Sequence, residues 1–267
     1  VNADSGTFEK SDLGRDLETK FEGYKLDSIN PKLPSEIKNG EAITVYYVKD
    51  TENQKELSYK VQYFTDGVHL ESDDITIKKK VWINDTAVPV VSEDFSTAND
   101  KYVGYKFDRT DPANLPTTIN AENGVVKVYY VKDDNQTKKL GYTVQYYKDD
   151  VHVESDDKSV TESGWVNDTT LPVAPEDRSP AQDRYPGYKF DRTEPAVIPD
   201  KIATESVIKV YYEKDDAQTL SYTIQYYKGQ EEEPFDTKKM TVPVHTPEVS
   251  EVSYSNLPAG YKLDKNA

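Results

Sequence analysis

Carboxylates dominate the groups that could do chemistry: 49 Asp and Glu stand against 33 Lys and Arg and 3 His, with no Cys. Adjacent acids recur at Asp73-Asp74, Asp133-Asp134, Asp149-Asp150, Asp156-Asp157 and Asp215-Asp216. Two carboxylates can act as acid and base, as in glycoside hydrolysis. Neighbours on a strand point to opposite faces, however, so an Asp-Asp pair does not converge on one substrate and suits a solvated turn. A hard cation is the other use. Asp133, Asp134, Asp215 and Asp216 fall at junctions between repeated segments, where calcium would find oxygen ligands and stiffen the joint, although no EF-hand spacing is present. His69 and His152 occur in matching contexts with no second His nearby, and His245 stands in a different one. Catalysis needs one unique constellation. Groups that recur at equivalent positions read as architecture, so the chain is not expected to be an enzyme.

The aromatic residues are the second resource, with 21 Tyr, 7 Phe and 2 Trp. Paired tyrosines on a strand send one ring to the core and one outward. Tyr130, Tyr147, Tyr212 and Tyr227 are candidate outward rings, forming an aromatic row suited to the faces of sugars. Trp82 and Trp165, each followed by x-Asn-Asp-Thr, read as anchors first and as ligand platforms second. Asp108-Arg109 and Asp191-Arg192 read as a turn-starting acid beside an Arg that packs across strands.

The elements that must position these residues come in repeats. GYKFDRTDP at Gly104–Pro112 returns as GYKFDRTEP at Gly187–Pro195, and Trp82 and Trp165 are 83 positions apart. YKVQYF at Tyr59–Phe64 is matched by Tyr142–Tyr147 and Tyr222–Tyr227, and VYYVKD at Val45–Asp50 by Val128–Asp133. The pattern gives complete repeats over 57–139 and 140–218, a second half-repeat over 1–56 and a first half-repeat over 219–267. Periodicity is two: Tyr142, Val144 and Tyr146 share one face, and Ile208, Val210 and Tyr212 share another, as half-buried strands require. Ser92–Asn99 is expected to form one short helix with Ser92 as its N-cap. Units of this size joined by short polar linkers predict a rod of roughly 90–120 Å.

Composition narrows the function classes. The hydrophobic share is only 35%, so each core is small and leans on aromatics. A net charge of −16 opposes binding to nucleic acid or to an anionic membrane surface and keeps a repetitive β protein soluble. No apolar run reaches the roughly 18 residues of a membrane span.

With YTVQYYKD (Tyr142–Asp149), PGYKFDRTEP (Pro186–Pro195) and VIKVYYEKD (Val207–Asp215) in hand, the chain resembles the MucBP-like, mucin-binding repeats of Gram-positive surface proteins. The likeness covers nearly the whole chain, one repeat at a time. Two departures stand out: the added Trp-x-Asn-Asp-Thr segment, and Val103 in place of Pro before Gly104. The resemblance implies small β-grasp or sandwich modules, strung between a secretion signal and a wall anchor. The expected fold is therefore mainly β, with a β-grasp-like α+β variant, in tandem small domains. The expected role is an extracellular adhesin stalk contacting host mucin or other glycoprotein glycans. A pure spacer, or accessory repeats of a glycan-active enzyme, are the alternatives.

Overall fold

The computed structural model describes residues 5–249 and 257–264. The protein is mainly β. It divides into two compact units, 1–136 and 137–267. Each unit holds one complete repeat and one half-repeat.

The main strands are β1 (Tyr24–Asn30), β2 (Thr44–Lys49), β3 (Gln54–Thr65), β4 (Ile75–Trp82), β5 (Tyr105–Asp111), β6 (Val125–Lys132), β7 (Thr137–Lys148), β8 (Lys158–Trp165), β9 (Tyr188–Glu194), β10 (Ser206–Lys214), β11 (Thr219–Tyr226) and β12 (Asp236–Pro243). In the first complete repeat β3 pairs antiparallel with β4 and parallel with β6, and β6 pairs antiparallel with β5. The second repeats this with β8, β7, β10 and β9. A hairpin whose first strand lies parallel to the closing strand is the sheet of a β-grasp module. The first strand of each sheet starts at Gln54, Thr137 and Thr219, a few residues ahead of the first two sequence-based repeat boundaries.

Strand parity builds the cores. Tyr59, Val61 and Tyr63 of β3 meet Val126, Val128 and Tyr130 of β6, with Val88 and Phe95 from the connecting segment. Leu140, Tyr142, Val144 and Tyr146 meet Ile208, Val210 and Tyr212 in the second repeat, under Leu171, Val173 and Ile202. Buried hydroxyls need partners. Tyr130 donates to the Ala98 carbonyl at 2.8 Å and Tyr212 to the Ala181 carbonyl at 2.6 Å. The crossing segment thereby hangs from the sheet.

The helix expected over 92–99 is shorter than its sequence suggests. Only Ser92–Asp94 forms a turn, of 3-10 type, capped by Val91 rather than Ser92. Phe95 resumes an extended backbone, with φ −147°, and the reason is burial: its ring sits 7% exposed in the core. The corresponding stretch of the second repeat, α1 (Pro175–Arg178), is a single α-turn.

A one-residue bulge shapes the third strand. Register shifts between Phe107 and Arg109, so Phe107 faces Tyr130 and Arg109 faces Tyr129. The same shift recurs between Phe190 and Arg192, and between Leu26 and Ser28. Residues two apart on a regular strand share a face. The extra Asp108 or Asp191 breaks that rule, sending Phe to the core and Arg outward.

Within the first unit, the half-repeat is clasped to the complete repeat. Gly23 has φ +83°, a left-handed conformation that glycine adopts without strain. Its carbonyl accepts the Trp82 indole N–H at 2.8 Å, and Asn84 donates to the Glu22 carbonyl at 2.8 Å. Tyr24 meets the indole edge-on at 5.2 Å, and the Lys49 ammonium lies 4.3 Å from the ring. A Cβ at Gly23 would lie 2.7 Å from Asn84 Nδ2, 2.8 Å from Ile83 Cγ2 and 2.9 Å from Trp82 Cζ2. Gly23→Ala is therefore expected to open this joint without unfolding the repeat. Hydrogen exchange should speed up at Tyr24 and Ile83 while Val126 and Val128 stay protected. Unchanged exchange at Tyr24 would refute the clasp.

Candidate functional site

The outer face of each complete sheet carries one stripe built from four strands. In the second repeat His152 stacks on Tyr147 at 5.0 Å, Tyr147 stacks on Tyr211 at 4.7 Å, and the Arg192 guanidinium covers Tyr211 at 3.9 Å. The first repeat gives His69 on Phe64 at 4.9 Å, Phe64 on Tyr129 at 4.8 Å, and Arg109 over Tyr129 at 4.3 Å. The order His, aromatic, Tyr, Arg follows the cross-strand register, since Tyr147 pairs with His152 and Tyr211, and Tyr211 pairs with Arg192. Cross-strand aromatic pairs and Arg–ring contacts each add up to about 1 kcal/mol.

Acids close both ends of the stripe. His152 Nε2 lies 2.7 Å from Asp157 Oδ1, and His69 Nε2 lies 2.7 Å from Asp74 Oδ1. Arg192 donates to Asp191 at 2.6 Å and to Asp150 at 3.3 Å, and these carboxylates raise its pKa. Arg109 donates to Asp108. Burial, then a hydrogen bond to Glu194, pushes the Tyr211 hydroxyl above its ordinary range. The rings are stacked with their faces turned on one another. Tyr211 is only 8% exposed beneath them, so the stripe of the second repeat offers solvent its imidazole and guanidinium, 26% and 47% exposed, rather than a flat sugar platform.

The structure sorts the candidate rings. Tyr147 lies on the stripe, half-buried, and Tyr227 occupies the equivalent place in the last half-repeat, 46% exposed. Tyr130 and Tyr212 do not face outward: both are core residues, 0% and 1% exposed, and their neighbours take the outer-face positions, Tyr129 half-buried and Tyr211 8% exposed under Tyr147 and Arg192. The signal for this was parity, because Tyr212 shares its face with Ile208 and Val210. Trp82 is the joint residue described above. Trp165 is half-buried, and its backbone N–H is held by Asp168 at 3.2 Å. Sequence pattern alone does not single out Phe64, Tyr129, Tyr211 or the two stacked histidines. A local hairpin brings each histidine to its ring, but only the parallel pairing of first and last strands adds Tyr129 and Tyr211, and that pairing spans about 65 residues of chain.

The junction acids are engaged inside the turns. The Asp133 oxygens accept from the Asn135 N–H at 3.1 Å and the Gln136 amide at 3.2 Å. Gln136 in turn accepts from the Gly104 N–H at 2.8 Å and donates to the Tyr105 carbonyl at 3.0 Å. Asp215, Gln218, Gly187 and Tyr188 reproduce this lattice. The hydrogen bond from Gln218, followed by that from Ala217, lowers the Asp215 pKa. Asp134 lies 3.7 Å from Lys132, and Asp216 pairs with His245 at 2.6 Å. His245 thus lies in the second unit's counterpart of the Trp82 joint, beside Gly187 and Tyr188. Among the described residues no group of three or more His, Asp or Glu gathers as a metal site. Among them also, no helix is long and apolar enough to cross a membrane.

No protein-family model matches the sequence, and no curated protein matches it. Among solved structures the chain is similar to the type 2 repeat of the mucus binding protein MUB from Lactobacillus reuteri. That similarity has 14% identity and a TM-score of 0.20 and covers 60% of this chain and 100% of that one. At that level it carries no argument about fold or ligand.

Proposed function

We propose that this chain is a non-catalytic repeat segment of a Gram-positive surface adhesin that contacts host mucin or other glycoprotein glycans. The observation that carries the reading is the His–aromatic–Tyr–Arg stripe, reproduced with the same partners in both complete repeats. A surface repeated along one chain suits weak contacts multiplied by valency, since linked sites raise avidity by roughly 10²–10⁴ without any new contact. Its exposed groups match the hydroxyl and acid groups of glycans. The motifs shared with mucin-binding repeats support the same ligand class, an extracellular location and a wall-anchored setting.

The test is binding of the 267-residue chain to immobilised mucin. Arg109→Ala with Arg192→Ala is expected to weaken apparent affinity at least tenfold, and either change alone several-fold less. Equal binding by wild type and the double variant would remove the stripe from the function. A second reading, a spacer that binds nothing, is favoured by one observation: the best-repeated residues, Gly187, Gln218 and Asp215, are spent on joints and turns. No mucin or glycan binding by the wild-type chain, with an extended profile in small-angle scattering, would select it.

A further inference from the structure

The two complete repeats differ where the crossing segment lies over the sheet. In the first, Phe95 is buried in the core. The Tyr63 hydroxyl donates to the Ser96 carbonyl and accepts from the Ser96 N–H, each at 3.1 Å. Ring and hydroxyl together close the segment onto the sheet. In the second repeat Arg178 stands in place of Phe95. It turns outward instead, to the Asp200 carboxylate at 2.6 Å. Tyr146 and Ser179 are the counterparts of Tyr63 and Ser96. Among the described residues no hydrogen bond joins them, and the Tyr142 hydroxyl accepts from the Ala174 N–H at 3.1 Å. The segment stays tethered further on, where Tyr212 donates to Ala181 as Tyr130 does to Ala98.

What remains in the second repeat is a cavity of about 340 Å³. Tyr146 and Tyr212, 8% and 1% exposed, form its walls. Lys158, Asp177, Ser179 and Arg184 surround them. The Arg184 guanidinium lies 3.6 Å from the centre of the Tyr146 ring, and its side chain is 34% exposed. Asp177 is 3% exposed, fixed in place by Lys158 and by the Tyr142 hydroxyl. Small-molecule sites begin at roughly 300 Å³ and set a few convergent polar groups among apolar walls. This cavity has that size and that lining.

Its charges select the ligand. Lys158 and Arg184 are matched by Glu176 and Asp177, so the lining has no net charge. Ammonium and guanidinium groups donate, carboxylates accept, and the Ser179 hydroxyl does both. A ligand that donates and accepts at several points while carrying no charge answers this lining, and sugar hydroxyls do so. An acidic sugar would approach against the field of a chain with net charge −16. We propose that this cavity is a second glycan site, separate from the stripe, which takes one neutral monosaccharide unit. It rests on the glycan reading above for its ligand class and not on the stripe. Phe95 closes the equivalent place in the first repeat, so the two repeats do different work.

The test is titration of the full chain with the methyl glycosides of galactose, mannose, N-acetylglucosamine and N-acetylgalactosamine, followed by amide chemical shifts. Glucuronic acid is the acidic control. At least one neutral glycoside is expected to shift the amides of Ser179, Ala181 and Arg184 saturably, while Ser96, Ala98 and Lys101 stay still. Glucuronic acid should bind at least about tenfold more weakly. Arg178→Phe returns the first repeat's residue, and Arg184→Ala removes the guanidinium. Each is expected to weaken the neutral sugar by about tenfold or more, with the β7 and β10 amide shifts unchanged as proof of folding. No saturable shift with any glycoside would overturn the proposal. So would equal shifts in the first repeat, equal binding of glucuronic acid, or undiminished binding by both variants. Mucin binding by the stripe variant is a separate readout, so failure of the stripe and failure of the cavity are told apart.

Discussion

Lys158→Met is expected to lower the stability of the second complete repeat by about 3 kcal/mol, because it strands a buried charge. Asp177 is 3% exposed. Its carboxylate takes the Lys158 ammonium at 2.8 and 3.0 Å and the Tyr142 hydroxyl at 2.6 Å. The hydrogen bond to Asp177 is the largest cause of a raised Lys158 pKa, so the lysine remains charged throughout the neutral range. The lysine side chain is itself 38% exposed, which places the cost at the lower end of what breaking a buried pair can cost. Removing both partners in Lys158→Met with Asp177→Leu should recover much of the loss, since an apolar pair of similar volume has no desolvation penalty. Chemical denaturation with hydrogen exchange on β7 and β8 reads the effect. A single variant within about 0.5 kcal/mol of wild type, or a double variant worse than the single, would contradict it. The first repeat carries the analogous pair, Lys79 with Asp94 at 2.7 Å. There the cation reaches in from a different rung: Lys79 pairs with Leu57, whereas Lys158 pairs with Val144. The acid is the constant feature and the supply of its counter-charge is not.

Alkaline unfolding is the second large effect. Burial pushes the Tyr130 and Tyr212 hydroxyls up to about 12, while an unfolded tyrosine ionises near 10. Their contribution is whole below about pH 10. Above it the unfolded chain releases protons that the folded chain retains, so stability falls as pH rises from about 10 to about 12. Each tyrosine accounts for about 2–3 kcal/mol across that window. Absorbance at 295 nm follows tyrosine ionisation directly. A late, cooperative step should then coincide with loss of the β circular dichroism signal. Tyr212→Phe should move that step for the second repeat, at the cost of an unpaired Ala181 carbonyl. A single smooth titration with the sheet intact at pH 12 would be the contrary result.

Much of the sheet is legible in the sequence because its signals are local. Alternation around Val144 and Val210 identifies strands and cores, and repetition identifies equivalent residues. The same alternation places Tyr212 inside, which a reading by residue type alone misses. What is not legible depends on distant contacts. Phe107 and Arg109 share a face in any regular strand, and only the bulge at Asp108 separates them. The helix expected at 92–99 has a good cap and acidic first turn, yet Phe95 is worth more buried than helical. The stripe needs the parallel pairing of strands that lie far apart in the chain. The joint needs Trp82 to find Gly23, 59 residues earlier.

That joint bears on how such a protein changes length between generations. The receiving part is the Gly-Tyr at the start of a third strand, seen at Gly23-Tyr24 and at Gly187-Tyr188. The inserting part is the turn after a second strand, seen at Trp82–Asn84 and at His245. One repeat length of sequence contains both. A duplication or loss of one whole repeat length therefore adds or removes one receiving part and one inserting part together. At both of these joints the glycine of the Gly-Tyr-Lys motif leaves the space that the incoming turn fills.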